Sequence, residues 1–241
     1  MWQLREAIAG LGEAADALGT PVVSGNVSLY NETHGVPIYP TPTVAVVGLL
    51  EPWEAHAVSH FSGEGYAVVL LGEPREDLAG SAWLALRRGL EAGAPARVDL
   101  AHERRLHGLL GRAVREGLLV TAHDVSLGGL AVALAECCFT GPAAIGADVR
   151  LEDRMRPDAL LFGEAPGRVV AAAPEAGPLL AAAREEGVPA RVIGRTGGAR
   201  LRVGGPGGAP WIDASVLHLR DVFERALPRR LGAGEAAGDR P

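Results

Sequence analysis

Two apolar runs constrain this chain more than any other feature of it. Thr43-Val-Ala-Val-Val-Gly-Leu-Leu50 and Tyr66-Ala-Val-Val-Leu-Leu71 carry no charged residue and no regular polar alternation. A strand with one wet face alternates; an uninterrupted apolar run of this length reads as a strand covered on both faces. Such strands need helices on each side. The periodicity supplies them. Trp2, Leu4, Ile8, Leu11, Ala15 and Leu18 recur near every 3.6 residues, with Gly19 placed as a C-cap. Residues 79–90 and 98–116 read as helices. In the second, Val98, Leu106, Leu109, Leu110 and Val114 face inward, with Arg104, Arg105, Arg112 and Arg115 toward water. Further helices are expected over 130–138, 156–163, 175–186 and 216–227. Further strands are expected over 21–23, 118–121, 168–173, 190–193 and 199–203, with a short extended piece at 211–213.

Helices and strands interleave without strict βαβ order, which points to an α+β class with mixed sheets. Pro52 ends the first apolar run. The expected division is therefore 1–51, 52–228 and a flexible tail over 229–241, where apolar periodicity stops.

Composition excludes several function classes. The net charge is −6, against the basic stripe of a general nucleic-acid binder. All 23 basic residues are Arg, so there is no Walker-A lysine and no Schiff-base or general-base lysine. No apolar run reaches the roughly 18 residues of a membrane span. The N-terminus has no secretory pattern, and the cytoplasm is the expected compartment. The only two cysteines, Cys137 and Cys138, are adjacent, which offers neither a disulfide framework nor metal-ligand spacing. They read as small buried side chains.

Three strings carry chemistry. In Ser24-Gly25-Asn26-Val27-Ser28-Leu29-Tyr30-Asn31-Glu32, Gly25 admits close backbone approach to a ligand. Asn26 and Ser28 alternate along an extended chain and share one side of it. The Asn26 amide oxygen suits Mg²⁺, and the Ser28 hydroxyl suits a phosphate or amide group. The same residues are also ordinary turn formers. The second string is Ala122-His-Asp-Val-Ser-Leu-Gly-Gly129 before a helix, where free N–H groups favour an anion. A glycine-rich turn capped by Ser126 is the plain alternative. In the third, Leu161–Arg168, Glu164 either binds a ribose hydroxyl or caps backbone N–H groups, and the cap is favoured.

With Ile38–Leu50, Leu78–Ser81 and Leu227-Pro228, these strings resemble phosphoribosylformylglycinamidine synthase subunit II (PurL), in the same order and over nearly the whole chain. The resemblance implies a mixed-sheet, AIR-synthetase-like α+β fold: a truncated N-terminal-type domain followed by a complete C-terminal-type domain. It implies an ATP-dependent amidation. The amide oxygen of formylglycinamide ribonucleotide is phosphorylated and then displaced by glutamine-derived ammonia. ATP and Mg²⁺ are the implied cofactors. Gly25 would lie on ATP, Asn26 would bind Mg²⁺ and Ser28 would contact the substrate. The resemblance implies no catalytic residue in this chain; the catalytic histidine and acidic Mg²⁺ ligands would belong to an N-terminal portion of the family's members outside it. That portion, the glutamine amidotransferase subunit PurQ and the small subunit PurS are the implied partners. The chain departs from the family pattern H-D-V-S-D-G-G at Leu127. The competing expectation is a truncated, inactive structural or interaction domain. A small stand-alone kinase fits less well, for want of lysine and of an acidic cluster.

Overall fold

A computed structural model describes residues 1–232. The chain opens with α1 (Trp2–Leu18), followed by the short strands β1 (Glu32–Thr33) and β2 (Val36–Pro37). Then come β3 (Ala67–Leu71), α2 (Ala82–Arg88), α3 (Leu100–Arg115), β4 (Thr121–Asp124), α4 (Gly129–Phe139) and β5 (Ala147–Arg150). The remainder is α5 (Pro157–Phe162), β6 (Val169–Ala173), α6 (Ala176–Glu185), β7 (Ala190–Thr196), β8 (Arg200–Gly204), β9 (Pro210–Ser215) and α7 (Val216–Arg230).

A seven-stranded sheet runs in the order β4-β6-β3-β7-β5-β8-β9. Its pairs are antiparallel except β5 with β8, which is parallel. The sheet is mixed, as the interleaving predicts. β3 sits inside it, and all five of its residues are buried. Val68 and Leu70 point into a core with Leu130, Leu134 and Leu160 of α4 and α5. Ala67, Val69 and Leu71 point into a second core with Leu106 and Leu109 of α3 and Leu179 of α6. The uninterrupted apolar run at 66–71 is thus explained by helices on both faces. Each fully buried Val or Leu there contributes about 1.5–3 kcal/mol.

The helix ends follow local chemistry. Gly19 caps α1 with φ 68°, a conformation glycine reaches without strain. Asp99 caps α3, accepting from the His102 N–H at 3.0 Å. That hydrogen bond, to the ionised form, holds the Asp99 carboxyl below its ordinary pKa. On α3, Leu106, Leu109 and Ala113 are buried, whereas Val98 lies before the helix and is 55% exposed. β5 and the β1–β2 hairpin have no counterpart in the sequence expectations. The hairpin turns on His34 and Gly35, with φ of 52° and 77°, the positive pair that a two-residue type I′ turn requires.

The first fifty residues differ from the expectation in two places. Residues 21–23 and 43–50 form no strand. Val23 is 92% exposed and Val47 98%. The physical reason is that, among the described residues, no neighbouring strand takes up their backbone groups and their side chains stay uncovered. Against the described residues, none of the 17 residues of α1 is fully buried either. α1 lies against α3. At the other end, α7 continues through Pro228 to Arg230, two residues into the segment expected as a tail. Residues 233–241 of that tail lie outside the described residues. Among the described residues, no helix is long and apolar enough to cross a membrane.

Candidate functional site

A concavity on the first fifty residues has a volume of about 750 Å³. Helix α1 forms one wall through Trp2, Leu4, Glu6 and Leu11. The extended stretch around Asn26, Ser28 and Asn31 forms another, and Pro40–Thr43 closes it. The 31–38 backbone contact fixes how these last two stretches meet. The Ile38 N–H donates to the Asn31 carbonyl at 3.2 Å, at the base of the β1–β2 hairpin. The Thr41 hydroxyl donates to the Tyr39 carbonyl at 3.0 Å, which tightens the Pro-Thr-Pro turn.

Asn26 and Ser28 share one cavity, but Val27 and Leu29 line it as well, so the lining does not set one side of the extended chain apart from the other. Gly25 is not part of its lining. A Cβ at Gly25 would meet nothing within 4 Å, so the described chain itself does not require glycine there. Glu6, Asn31, Thr41 and Thr43 also line the cavity, and the sequence expectations did not single them out. Only the strings that place them beside Asn26 gave a signal. The donors are oxygens: neutral amide and hydroxyl groups with the Glu6 carboxylate. That set suits a Mg²⁺ ion carried mainly by phosphate and water, which takes one or two carboxylates from protein. It does not suit a protein-only metal cage. Among the described residues, no group of three or more His, Cys, Asp or Glu side chains is placed to hold a metal.

The second string lies elsewhere, in the loop between β4 and α4. Gly128 and Gly129 both have positive φ, 82° and 71°. A side chain on Gly129 would also strike the Gly163 carbonyl, at 2.7 Å. These glycines bring the N-terminus of α4 against the 163–165 turn. There the anion is internal. Glu164 Oε1 accepts from the Gly128 N–H at 2.8 Å and from the Ala82 N–H, at the start of α2, at 2.9 Å. One carboxylate oxygen caps two helices, which is the capping role favoured for Glu164. Ser81 completes the α2 cap by accepting from the Leu84 N–H at 3.2 Å.

Arg168 holds the turn that presents Glu164. It is only 2% exposed. Its Nε donates to the Ala165 carbonyl at 3.1 Å and one terminal nitrogen donates to the Gly163 carbonyl at 2.6 Å. The other terminal nitrogen has no partner among the described residues. Burial, with the neighbouring Arg75 charge, pushes the Arg168 pKa down to about 10. A charged residue at the head of an apolar strand was visible in the sequence, but its burial was not.

His123 Nδ1 donates to the Asp124 carbonyl at 2.8 Å, and its Nε2 lies 3.5 Å from Glu136 of α4. The Ser126 hydroxyl donates to the Asp124 carboxylate. These groups satisfy one another within the loop. Leu127, where the family pattern has Asp, is 74% exposed. Cys137 and Cys138 are free, buried thiols, and burial pushes Cys138 up to about 12 and Cys137 higher still. They are core side chains, as expected. His102 Nε2 donates to the Gly167 carbonyl at 2.9 Å, a structural contact.

Two family models match the chain. Residues 63–204 match "AIR synthase related protein, C-terminal domain", and residues 1–50 match "AIR synthase related protein, N-terminal domain". Among curated proteins, the chain is 44% identical over 248 aligned residues to phosphoribosylformylglycinamidine synthase subunit PurL of Anaeromyxobacter sp.. That alignment covers 99% of this chain and 32% of the relative. The Anaeromyxobacter dehalogenans protein of the same name is 46% identical, over 98% of this chain and 32% of its own length. The chain thus spans about a third of the length of the curated relatives it matches. Solved structures share the fold over 69% of the chain. Thermotoga maritima PurL complexed with FGAR superposes with a TM-score of 0.59 at 22% identity, covering 30% of that protein. The ATP complex gives 0.54 at 22% identity over 27%, and the PurLQS structure 0.54 at 22% over 28%.

Proposed function

The chain belongs to the AIR synthase related proteins, and we propose that it supplies the C-terminal part of a phosphoribosylformylglycinamidine synthase. The observation that carries this reading is the meeting of two strings on one cavity. Ser24–Glu32 contributes Asn26 and Ser28, and Ile38–Leu50 contributes Thr41 and Thr43. These are the strings on which the resemblance to PurL rests, and nearly the whole chain aligns with PurL proteins.

The reaction joins ammonia to formylglycinamide ribonucleotide at the expense of ATP. Asn26 would hold a Mg²⁺ ion through its amide oxygen, and the ion would supply neutralisation of phosphate charge. Ser28 orients the substrate, and Gly25 leaves room for the nucleotide to approach the backbone. No residue of this chain is assigned to proton transfer or nucleophilic attack. The relatives' ligand and assembly names support ATP and formylglycinamide ribonucleotide as ligands and a multisubunit complex with PurQ and PurS as the setting. The reading puts the chain in the cytoplasm.

In this reading the 241-residue chain turns over no ATP by itself. Joined to the remaining two thirds of the synthase, it supports amidation, and Asn26→Ala raises the Mg²⁺ concentration needed for half-maximal rate at least tenfold. A titration of rate against Mg²⁺ measures this. An unchanged requirement removes Asn26 from the metal site. Product from the isolated chain refutes the assignment of the catalytic set elsewhere. The second reading, an inactive structural domain, draws on the lack of an acidic cluster among the described residues. It predicts that the completed synthase works equally well with Asn26→Ala and Ser28→Ala.

A further inference from the structure

We infer that the part of the sheet formed by β5, β8 and β9 keeps one face in water in the working protein. A cross-strand row of alternating charges is the device that stops another sheet, that of a second copy included, from stacking there. The inference rests on the reading above only for what the remainder of the synthase is.

One row of the seven-stranded sheet shows this. The register runs it from Ala173 of β6 through Ala67 of β3, Arg195 of β7, Asp148 of β5 and Arg202 of β8 to Asp213 of β9. Residues opposite one another on paired strands stand on the same face. Ala173 and Ala67 belong to the core beneath α3 and α6. From Arg195 onward the row is exposed and reads plus, minus, plus, minus. The change is one of residue type along a single register, so it is carried by chemistry and not by exposure alone.

The other face of the same strands is dry. Ala147 and Val149 of β5 and Leu201 and Val203 of β8 lie in the core with Leu130 and Leu134 of α4. β5 and β8 thus alternate strictly between buried and exposed residues over Ala147–Arg150 and Arg200–Val203. That is the pattern of a sheet with one face packed and one in water. β3, in the same sheet, is buried at every residue because helices cover both of its faces.

The charges answer one another within the row. Asp148 stands opposite Arg195 on one side and Arg202 on the other. Arg202 Nε lies 3.6 Å from an Asp213 carboxylate oxygen, and Arg200 of the same strand donates to that carboxylate. The four charges of the row sum to zero, so it draws in neither a polyanion nor a polycation. Stacking another sheet on it would strip water from charges that already have partners, a cost that an apolar sheet cannot return. The adjoining edge is closed in the same spirit. β9 is the last strand of the sheet, begins at Pro210 and carries Asp213 in its middle, and proline and charge both discourage further pairing.

The test uses the full chain, alone and joined to the remaining two thirds of the Anaeromyxobacter relative. The double variant Asp148→Val/Arg202→Val removes one charge of each sign, so the net charge stays at −6. It also places β-branched residues that suit a strand. Sedimentation velocity over a concentration series should show it self-associating at least roughly tenfold more tightly than the unaltered chain. Amide exchange at 147–150 and 200–204 should slow on association, and exchange at 67–71 should match the unaltered chain, which reports an intact fold. Asp148→Arg/Arg202→Asp keeps both charges in exchanged places and should associate no more than the unaltered chain. In the joined synthase, phenylglyoxal should modify Arg195, Arg200 and Arg202 at the rates found in the chain alone, read by mass spectrometry. A double-valine variant that associates no more than the unaltered chain overturns the inference, as does an exchanged-charge variant that associates like it. Slower modification of these arginines in the joined synthase also overturns it. Should the double-valine variant lose protection at 67–71, the arginine rates of the unaltered protein decide alone. Failure of the activity reading looks different. Unchanged arginine rates without ATP-dependent amidation remove the proposed reaction and leave this inference standing. Amidation with the arginines shielded does the reverse.

Discussion

Residues 44–50 read Val-Ala-Val-Val-Gly-Leu-Leu, and residues 67–71 read Ala-Val-Val-Leu-Leu. The two strings are close to interchangeable by composition, β-propensity and charge. One is the innermost kind of strand, hydrogen-bonded to β6 and β7 and buried on both faces. The other is irregular, with Val47 almost wholly in water. The difference lies outside the strings. Ala67–Leu71 is followed within the same chain by α3, α6, α4 and the strands that flank it. Among the described residues, 43–50 pair with no strand and stay exposed. Strand propensity is a statement about fitting a pleated, covered surface, and that surface belongs to the neighbours.

The comparison is broken most severely by emptying the covered strand. Leu70 is 0% exposed and fills the core against α4 and α5. Leu70→Ala should cost about 3 kcal/mol, as for other buried Leu truncations. Urea unfolding followed by far-ultraviolet circular dichroism measures it. A loss below 1 kcal/mol would mean that β3 is not the centre of the core.

The next effect tests how the covered strand keeps its helices. Glu164 ties the starts of α2 and α4 with two hydrogen bonds from one oxygen. Glu164→Ala leaves both N–H groups without an acceptor and should cost about 2 kcal/mol. Glu164→Gln keeps an acceptor oxygen and should recover more than half of that loss. Equal losses for the two variants would show that the negative charge, acting on the helix dipoles, matters more than the geometry.

Most of the body was legible because its signals are local and agree with one another. The helical period of α3, the apolar run of β3, the αL glycine after α1 and the glycines before α4 each demand the element found there. β5 was missed because Ala147–Arg150 is four residues long and alternates buried with exposed, a pattern too short to separate from a loop. Glu164 was legible as a cap, but its double duty required knowing that α2 and α4 start side by side. Arg168 was missed for the converse reason, since nothing in a sequence reports that a guanidinium ends buried in a turn, donating to two backbone carbonyls. For the candidate site the legible part was that Asn26 and Ser28, two residues apart, line one cavity; Val27 and Leu29 line it too, so alternation is not what brings them together. Glu6 and Thr43 enter that cavity through tertiary placement. The strand expected at 43–50 did not form because, among the described residues, no strand pairs with it and its side chains stay exposed.

The smallest expected effect sharpens the contrast furthest. Val47→Asp places a charge in the middle of the apolar run, the position that corresponds in kind to Val69 in β3. At Val69, 0% exposed, an unpaired carboxylate would have to be buried or the strand expelled. At Val47 the side chain already stands in water, so the isolated chain should lose no more than about 0.5 kcal/mol. Urea midpoints of the two single variants, measured side by side, give the comparison directly. A large loss for Val47→Asp in the isolated chain would show that 43–50 is covered there after all, and the likeness between the two strings would extend from sequence to structure.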